Sequence, residues 1–95
     1  MEEKYIQTLH PTAGKKNKKI LSEKYHVIRE HLLDILATQT PTHTEMMELL
    51  YARLKDSFEG GIQWYGETVK LDLEARGIVE RTQTKPEKYR ITTIK

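Results

Sequence analysis

Apolar residues recur at intervals of three and four in the first half of the chain, the spacing at which side chains share one face of a helix. A helix from about Ser22 to Ala37 is therefore predicted, with the Ser22 hydroxyl as the cap of its first turn. One stripe of this helix should face a core. The residues of the stripe are Tyr25, Ile28, Leu32, Ile35 and Leu36.

A second helical pattern follows the proline at position 41, which disfavours helix in the residue before it. Thr42 and Glu45 have the spacing of a capping box, and Thr44 is an alternative cap. The predicted helix runs from about Thr44 to Ser57. Its apolar face consists of Met46, Met47, Leu50, Leu54 and Phe58.

The second half of the chain combines a third helical pattern with two short alternating segments. The helix should begin near Ile62 and end at Gly77, which can take the left-handed conformation of a C-terminal cap. Two strands, 78–81 and 88–92, then form a hairpin with its tip at 82–87. A helix that ends at a glycine and leads directly into a hairpin is typical of the third helix and wing of a winged-helix domain.

One α+β domain of the winged-helix class is the resulting fold prediction, because a chain of 95 residues forms one domain. It divides into an N-terminal arm (1–21), a core of three helices (22–77) and a C-terminal β-hairpin wing (78–95). Within the arm, Lys4–Leu9 alternates enough to form a short strand.

The net charge of +2 is small, but the charges are unevenly distributed. Five lysines stand against one glutamate in residues 15–24, and residues 77–95 hold five basic and two acidic residues. Clustered cations displace condensed counterions from nucleic acid, so both segments are candidate phosphate contacts, although the arm cluster also fits a solvated loop. The candidates are Lys15, Lys16, Lys18 and Lys19 in the arm and Arg81, Lys85, Lys88 and Arg90 in the wing.

The third helix, turned by about 100° per residue, separates into a core side, an apolar outer face and a polar sector. An apolar outer face should be covered, either by the N-terminal segment around Tyr5, Ile6 and Leu9 or by a second copy of the chain. Trp64 is either a packed anchor within the monomer or the anchor of such an interface. The core side is Ile62, Tyr65, Val69 and Leu73, the outer face is Trp64, Thr68, Leu71 and Ala75, and the polar sector is Gln63, Glu67, Lys70 and Glu74.

The charges of this helix count against base readout in a DNA groove, because phosphates repel carboxylates. Its acidic residues outnumber its basic ones, with Glu67, Asp72 and Glu74 against Lys70 and Arg76. Asp72 and Arg76 are four residues apart and are expected to pair at the surface, a contribution of about 0.3 kcal/mol.

No motif for catalysis, metal binding or a cofactor is recognisable. The chain has no cysteine, and its four histidines lack the spacing of a metal site. We therefore predict a non-enzymatic protein with no catalytic, cofactor-binding or metal-ligating residue and no cofactor. The first residues are acidic and no apolar run could span a bilayer, which predicts a soluble cytoplasmic protein without a membrane partner.

The chain resembles a family of small bacterial proteins of unknown function with a winged-helix-like fold. The resemblance rests on Leu9-His10-Pro11, on the lead from Lys16 to Tyr25, and above all on Gly-Gly-Ile-Gln-Trp-Tyr (60–65) and Val-Lys-Leu-Asp-Leu-Glu-Ala-Arg-Gly-Ile (69–78). Members of that family often carry two adjacent tryptophans where this chain has tryptophan and tyrosine. The resemblance implies the fold and supplies no activity or functional residue.

The sequence thus predicts a non-enzymatic binding module that contacts nucleic acid weakly and non-specifically through the basic arm and wing. The alternative is a protein-interaction or dimerisation module that uses the apolar outer face of helix three. Salt should weaken the first kind of binding steeply and the second hardly at all.

Overall fold

Three helices and two antiparallel β-hairpins make up the computed structural model, which describes residues 4–92. The first three residues of the predicted arm and the last three of the predicted wing lie outside the described residues. The helices are α1 (Ser22–Thr38), α2 (His43–Leu54) and α3 (Ile62–Ala75). The predicted α+β class is confirmed. No helix in the described part of the chain is long and apolar enough to cross a membrane.

The helices bury the apolar stripes predicted for them around one hydrophobic cluster. All five predicted stripe residues of α1 are buried, and α3 contributes Ile62, Val69 and Leu73. On α2 the predicted face is buried except Phe58, which follows the helix and is partly buried. The helical period therefore located the core correctly, because each helix has one continuous apolar side.

The predicted caps of α1 and α2 have different outcomes. Thr42 caps α2: its hydroxyl accepts the Glu45 N–H (3.2 Å) and the Glu45 carboxylate accepts the Thr42 N–H (2.9 Å), as the capping box predicts. Ser22 is not the cap of α1, because the strand before it runs directly into the helix. The cap position is Leu21, and the Ser22 N–H donates to the Lys4 carbonyl at 2.8 Å.

The ends of α2 and α3 are set by their turns. α2 ends at Leu54, earlier than predicted, and the Leu54 carbonyl accepts the N–H groups of Ser57 and Phe58. Gly77 has φ +76° and follows α3 as predicted. The N–H groups of Gly77 and Ile78 donate to carbonyls inside the last turn of α3, the pattern of a Schellman motif.

The arm forms a hairpin that was only half predicted. Strand β1 (Tyr5–Gln7) pairs antiparallel with β2 (Lys19–Leu21), opposing Ile6 to Ile20. Ile20 is buried and Ile6 is partly buried against the core, whereas Tyr5 and Gln7 are exposed. β2 was missed because it has only three residues and begins within the lysine cluster.

The segment predicted as the wing forms a hairpin of β3 (Val79–Arg81) and β4 (Tyr89–Ile91), within the predicted strands, and is called the wing below. It is attached to the connection between α1 and α2, where Thr42 forms an isolated bridge with Lys88. The Tyr89 N–H also donates to the Pro41 carbonyl at 2.8 Å. Backbone hydrogen bonds therefore hold the start of β4, next to the tip of the hairpin, against the α1–α2 connection.

Candidate functional site

The two flanks of helix α3 are covered by different parts of the chain. On one flank the arm is attached through Leu9, whose N–H donates to the Asp72 carboxylate (2.8 Å), and through Asn17, whose amide donates to the Thr68 carbonyl (3.0 Å). At about 100° per residue, these α3 positions lie on the side opposite the positions that contact the wing. The arm and the wing therefore border the outer side of α3 from both directions.

On the other flank the wing contacts α3 through side chains. Arg81 of β3 donates to the Glu74 carboxylate at 3.1 Å, and the Lys70 ammonium donates to the Tyr89 hydroxyl at 3.3 Å. The same ammonium lies 4.4 Å from the centre of the Tyr89 ring, a cation–π distance. These contacts make the wing and α3 one packed unit.

Between the two flanks lies an outer strip of α3 that consists of Trp64, Glu67 and Leu71. Trp64 is 48% exposed, Glu67 is exposed and Leu71 is half-buried. The three positions span about 60° of the helix circumference. The strip is therefore narrow, apolar over most of its width, and open to solvent at the tryptophan.

The predicted interface residues divide between this strip and the arm. Trp64 and Leu71 belong to the strip, whereas Thr68 is buried and Ala75 lies beside the arm in a shallow groove. The arm, which was one of the two predicted coverings, thus covers part of the outer face but leaves Trp64 exposed to solvent. Trp64 packs its ring edge-on against Tyr65 at 4.9 Å between centroids. Self-association through this face stays a prediction.

Asp72 is the residue that joins the arm to the core. Its side chain is completely buried and accepts hydrogen bonds from the Leu9 N–H (2.8 Å), the Tyr25 hydroxyl (2.5 Å) and the Arg76 guanidinium (2.8 Å). The predicted pair with Arg76 exists, but its placement at the surface was wrong. The arm covers the Asp72 carboxylate and leaves only Arg76 partly exposed.

Lys70 is also buried, contrary to its predicted place in a polar sector. Its ammonium lies 3.1 Å from Nδ1 of His43 and 3.9 Å from the Glu74 carboxylate, and the wing covers it. Burial lowers the pKa of Lys70, an effect that Glu74 opposes. Burial, followed by the nearby Lys70 charge, lowers the pKa of His43, which favours the neutral form of the imidazole beside the ammonium. This cluster explains why a polar residue of α3 sits under the wing.

The predicted phosphate contacts also divide into two groups. Arg81 pairs with Glu74 and Glu87, and Arg90 pairs with Glu80 at 2.6 Å, so internal ion pairs occupy both arginines. The lysines are exposed, and within residues 4–92 none of them forms an ion pair. They are Lys15, Lys16, Lys18 and Lys19 in the arm and Lys85 and Lys88 in the wing.

A groove of about 280 Å³ lies beside Trp64, where α2 and α3 approach each other. The close approach depends on Gly66, because a Cβ there would lie 2.7 Å from Cδ2 of Leu50. Sequence reasoning missed the groove, since its walls come from two helices and no local pattern pairs them. Its lining residues are His43, Thr44, Met47, Glu48, Gln63, Trp64 and Glu67.

Comparison with known proteins places the chain by family alone. A family model described as "Family of unknown function (DUF6958)" matches residues 5–89. Neither the curated proteins nor the solved structures gave a significant match. Within the described residues, no group of three or more histidine, cysteine, aspartate or glutamate side chains is arranged to hold a metal ion.

Proposed function

We propose that this chain, which belongs to the Family of unknown function (DUF6958), is a non-enzymatic winged-helix module that binds nucleic acid through the lysines of its arm and wing. The attachment of the wing to the α1–α2 connection, through the Thr42–Lys88 bridge, supports the winged-helix arrangement. In such modules α3 faces the nucleic acid and the wing contacts its backbone.

One observation carries the proposal: six exposed lysines that form no ion pair within residues 4–92 stand on the two segments that border the outer side of α3. Four belong to the arm and two to the wing. Lysines that already pair with carboxylates would have to give up those partners, whereas unpaired lysines exchange only water and counterions for phosphate. The contribution of the arginines is smaller in this proposal, because Arg81 and Arg90 are held by glutamates.

Salt dependence provides the quantitative expectation. If all six lysines contact phosphates, affinity should fall by about three orders of magnitude between 50 and 200 mM salt, since each contact steepens the slope by about 0.7 to 0.9. Fluorescence anisotropy of labelled oligonucleotides measures this directly. The absence of binding at low salt would refute the proposal.

Charge reversal locates the contacts. The double variant Lys15→Glu/Lys16→Glu and the double variant Lys85→Glu/Lys88→Glu should each weaken binding and flatten its salt dependence. Lys55→Glu, at the exposed C-terminal cap of α2, is the control for general charge effects. It changes the net charge by two units and each double variant by four, so a loss of binding free energy for Lys55→Glu that is half the loss for each double variant would show that charge acts through the whole protein and not through the arm and wing.

The half-exposed Trp64 favours a second candidate, a protein-interaction module that uses the outer strip. Binding through such a strip would bury apolar surface and would hardly respond to salt. Sedimentation of the chain over a range of concentrations tests self-association. If the chain is a monomer at every concentration, dimerisation through the outer strip is excluded.

A further inference from the structure

The groove beside Trp64 offers a flat aromatic surface next to hydrogen-bond acceptors. Trp64 and Gln63 come from the first turn of α3, and Glu48 of α2 and Glu67 of α3 stand at the sides. Both glutamates are exposed, and neither forms an ion pair within residues 4–92. The groove therefore combines a ring for stacking with carboxylates that can only accept hydrogen bonds from a ligand.

The outer strip is poorly suited to the major groove of a duplex. Leu71 offers no hydrogen bond to a base edge, and Glu67 repels the phosphates that line the groove. An unpaired base suits the strip better, because it can stack its exposed π-face on the indole and its Watson–Crick edge is free to form hydrogen bonds. The chemistry of the strip therefore fits a single strand better than a duplex.

The flanking lysines are compatible with such a strand. The arm and the wing contact α3 at Thr68–Glu74, about one to three turns beyond Trp64, so a strand that runs along the strip can place phosphates further from the stacked base against their lysines while the base itself faces the groove. In this arrangement the carboxylates of Glu48 and Glu67 contact the base and not the backbone. On a base, the group that donates a hydrogen bond to a carboxylate is an exocyclic amino group, such as N4 of cytosine.

We propose that the groove beside Trp64 takes one unpaired base of a single-stranded nucleic acid, and that it prefers a base with an exocyclic amino group. The inference rests on the proposed nucleic-acid binding and adds to it the strand type and the base contact. Trp64 supplies the stacking surface, and Glu67 and Glu48 supply the acceptors.

The chain contains a single tryptophan, so tryptophan fluorescence, excited at a wavelength that its five tyrosines do not absorb, reports on this groove alone. Titration with oligo-dC, oligo-dT and a duplex of matched charge, at low salt and mildly alkaline pH, should quench the fluorescence with the two single strands and leave it nearly unchanged with the duplex. Oligo-dC and oligo-dT carry the same phosphates. We expect dC to bind about threefold to tenfold more tightly, the effect of one net hydrogen bond.

Substitutions separate stacking from base preference. Trp64→Ala should weaken single-strand binding about fivefold or more, measured by anisotropy of labelled strands. Tyr51→Ala is the matched control, because Tyr51 is an aromatic residue of α2 with the same degree of exposure, 50% against 48%. The double variant Glu48→Ala/Glu67→Ala, which removes both acceptors, should abolish the preference for dC over dT and retain the quenching by both.

The outcomes distinguish failure of this inference from failure of the proposed nucleic-acid binding. Binding by anisotropy without a change in tryptophan fluorescence, or equal losses for Trp64→Ala and Tyr51→Ala, overturns the stacking site and leaves nucleic-acid binding intact. Quenching by both single strands with equal affinity overturns the base preference. If no oligonucleotide binds at low salt, both the inference and the proposed function fail.

Discussion

Replacing Asp72 should detach the arm and destabilise the whole fold. Asp72→Ala removes the acceptor for the part-buried Leu9 N–H and for the buried Tyr25 hydroxyl, and a buried group left without a partner costs about 1–3 kcal/mol. Arg76 is partly exposed and can turn to water, so its loss adds little. We expect a decrease of about 2–4 kcal/mol in the free energy of unfolding, mostly from the Tyr25 hydroxyl, which is a large part of the roughly 5–15 kcal/mol of a typical domain.

Asp34 provides the control for this experiment. It is also an aspartate in an ion pair, 2.5 Å from Arg53, but its side chain is 68% exposed. Asp34→Ala should therefore cost at most about 1 kcal/mol, as exposed pairs do. Both variants are measured by urea unfolding at the same pH and salt, and the thermal midpoint of Asp72→Ala should fall well below that of Asp34→Ala.

Hydrogen exchange adds a local measurement. The amide of Leu9 donates to Asp72 and to no other acceptor among the hydrogen bonds of the described residues, so its protection should collapse in Asp72→Ala before the helices unfold. If Asp72→Ala costs no more than Asp34→Ala, and the Leu9 amide keeps its protection, then the carboxylate does not hold the arm and the account of this flank is refuted.

Two further predictions concern the wing side and the end of α3. The pKa of His43 is lowered below its usual 6.5, so folding favours the neutral imidazole. The free energy of unfolding should therefore be highest above about pH 6.5 and decrease as the pH falls through the lower pKa of the folded state. Urea unfolding at several pH values should show this decrease in the parent chain and in His26→Gln but not in His43→Gln. Gly77→Ala should cost about 1 kcal/mol and Gly77→Asn less, because φ is +76° and asparagine tolerates that region better, and thermal unfolding of the two variants should rank them in this order.

The helices could be predicted from the sequence because their signals are local. The stripe of α1 needs only a period of three to four residues, the cap of α2 needs only Thr42 and Glu45, and the end of α3 needs only Gly77. Each of these features is decided within one or two turns of chain. The order of helices and the wing followed from the same local information.

The flanks of α3 could not be predicted, because they depend on pairings between distant segments. Asp72 is buried by Leu9, which is 63 positions away, and Lys70 is buried by Tyr89 across the wing. A helical wheel identifies the side that faces the core, but it contains nothing about which polar positions a neighbouring hairpin will cover. The strand β2, which pairs with β1 in the arm hairpin, was missing from the prediction, so the path of the arm relative to the helices could not be predicted.

Burial of these side chains changes the electrostatic argument about α3. The charge count that opposed nucleic-acid binding included Asp72 and Glu74, but Asp72 is completely buried and hydrogen-bonded, and the Glu74 side chain is 7% exposed and paired with Arg81. Only Glu67 remains as an acidic group on the outer strip. The repulsion of phosphates is therefore weaker than the sequence indicated. The apolar character of the strip persists at Trp64, and it is this character that favours stacking of an unpaired base over hydrogen bonding in a duplex groove.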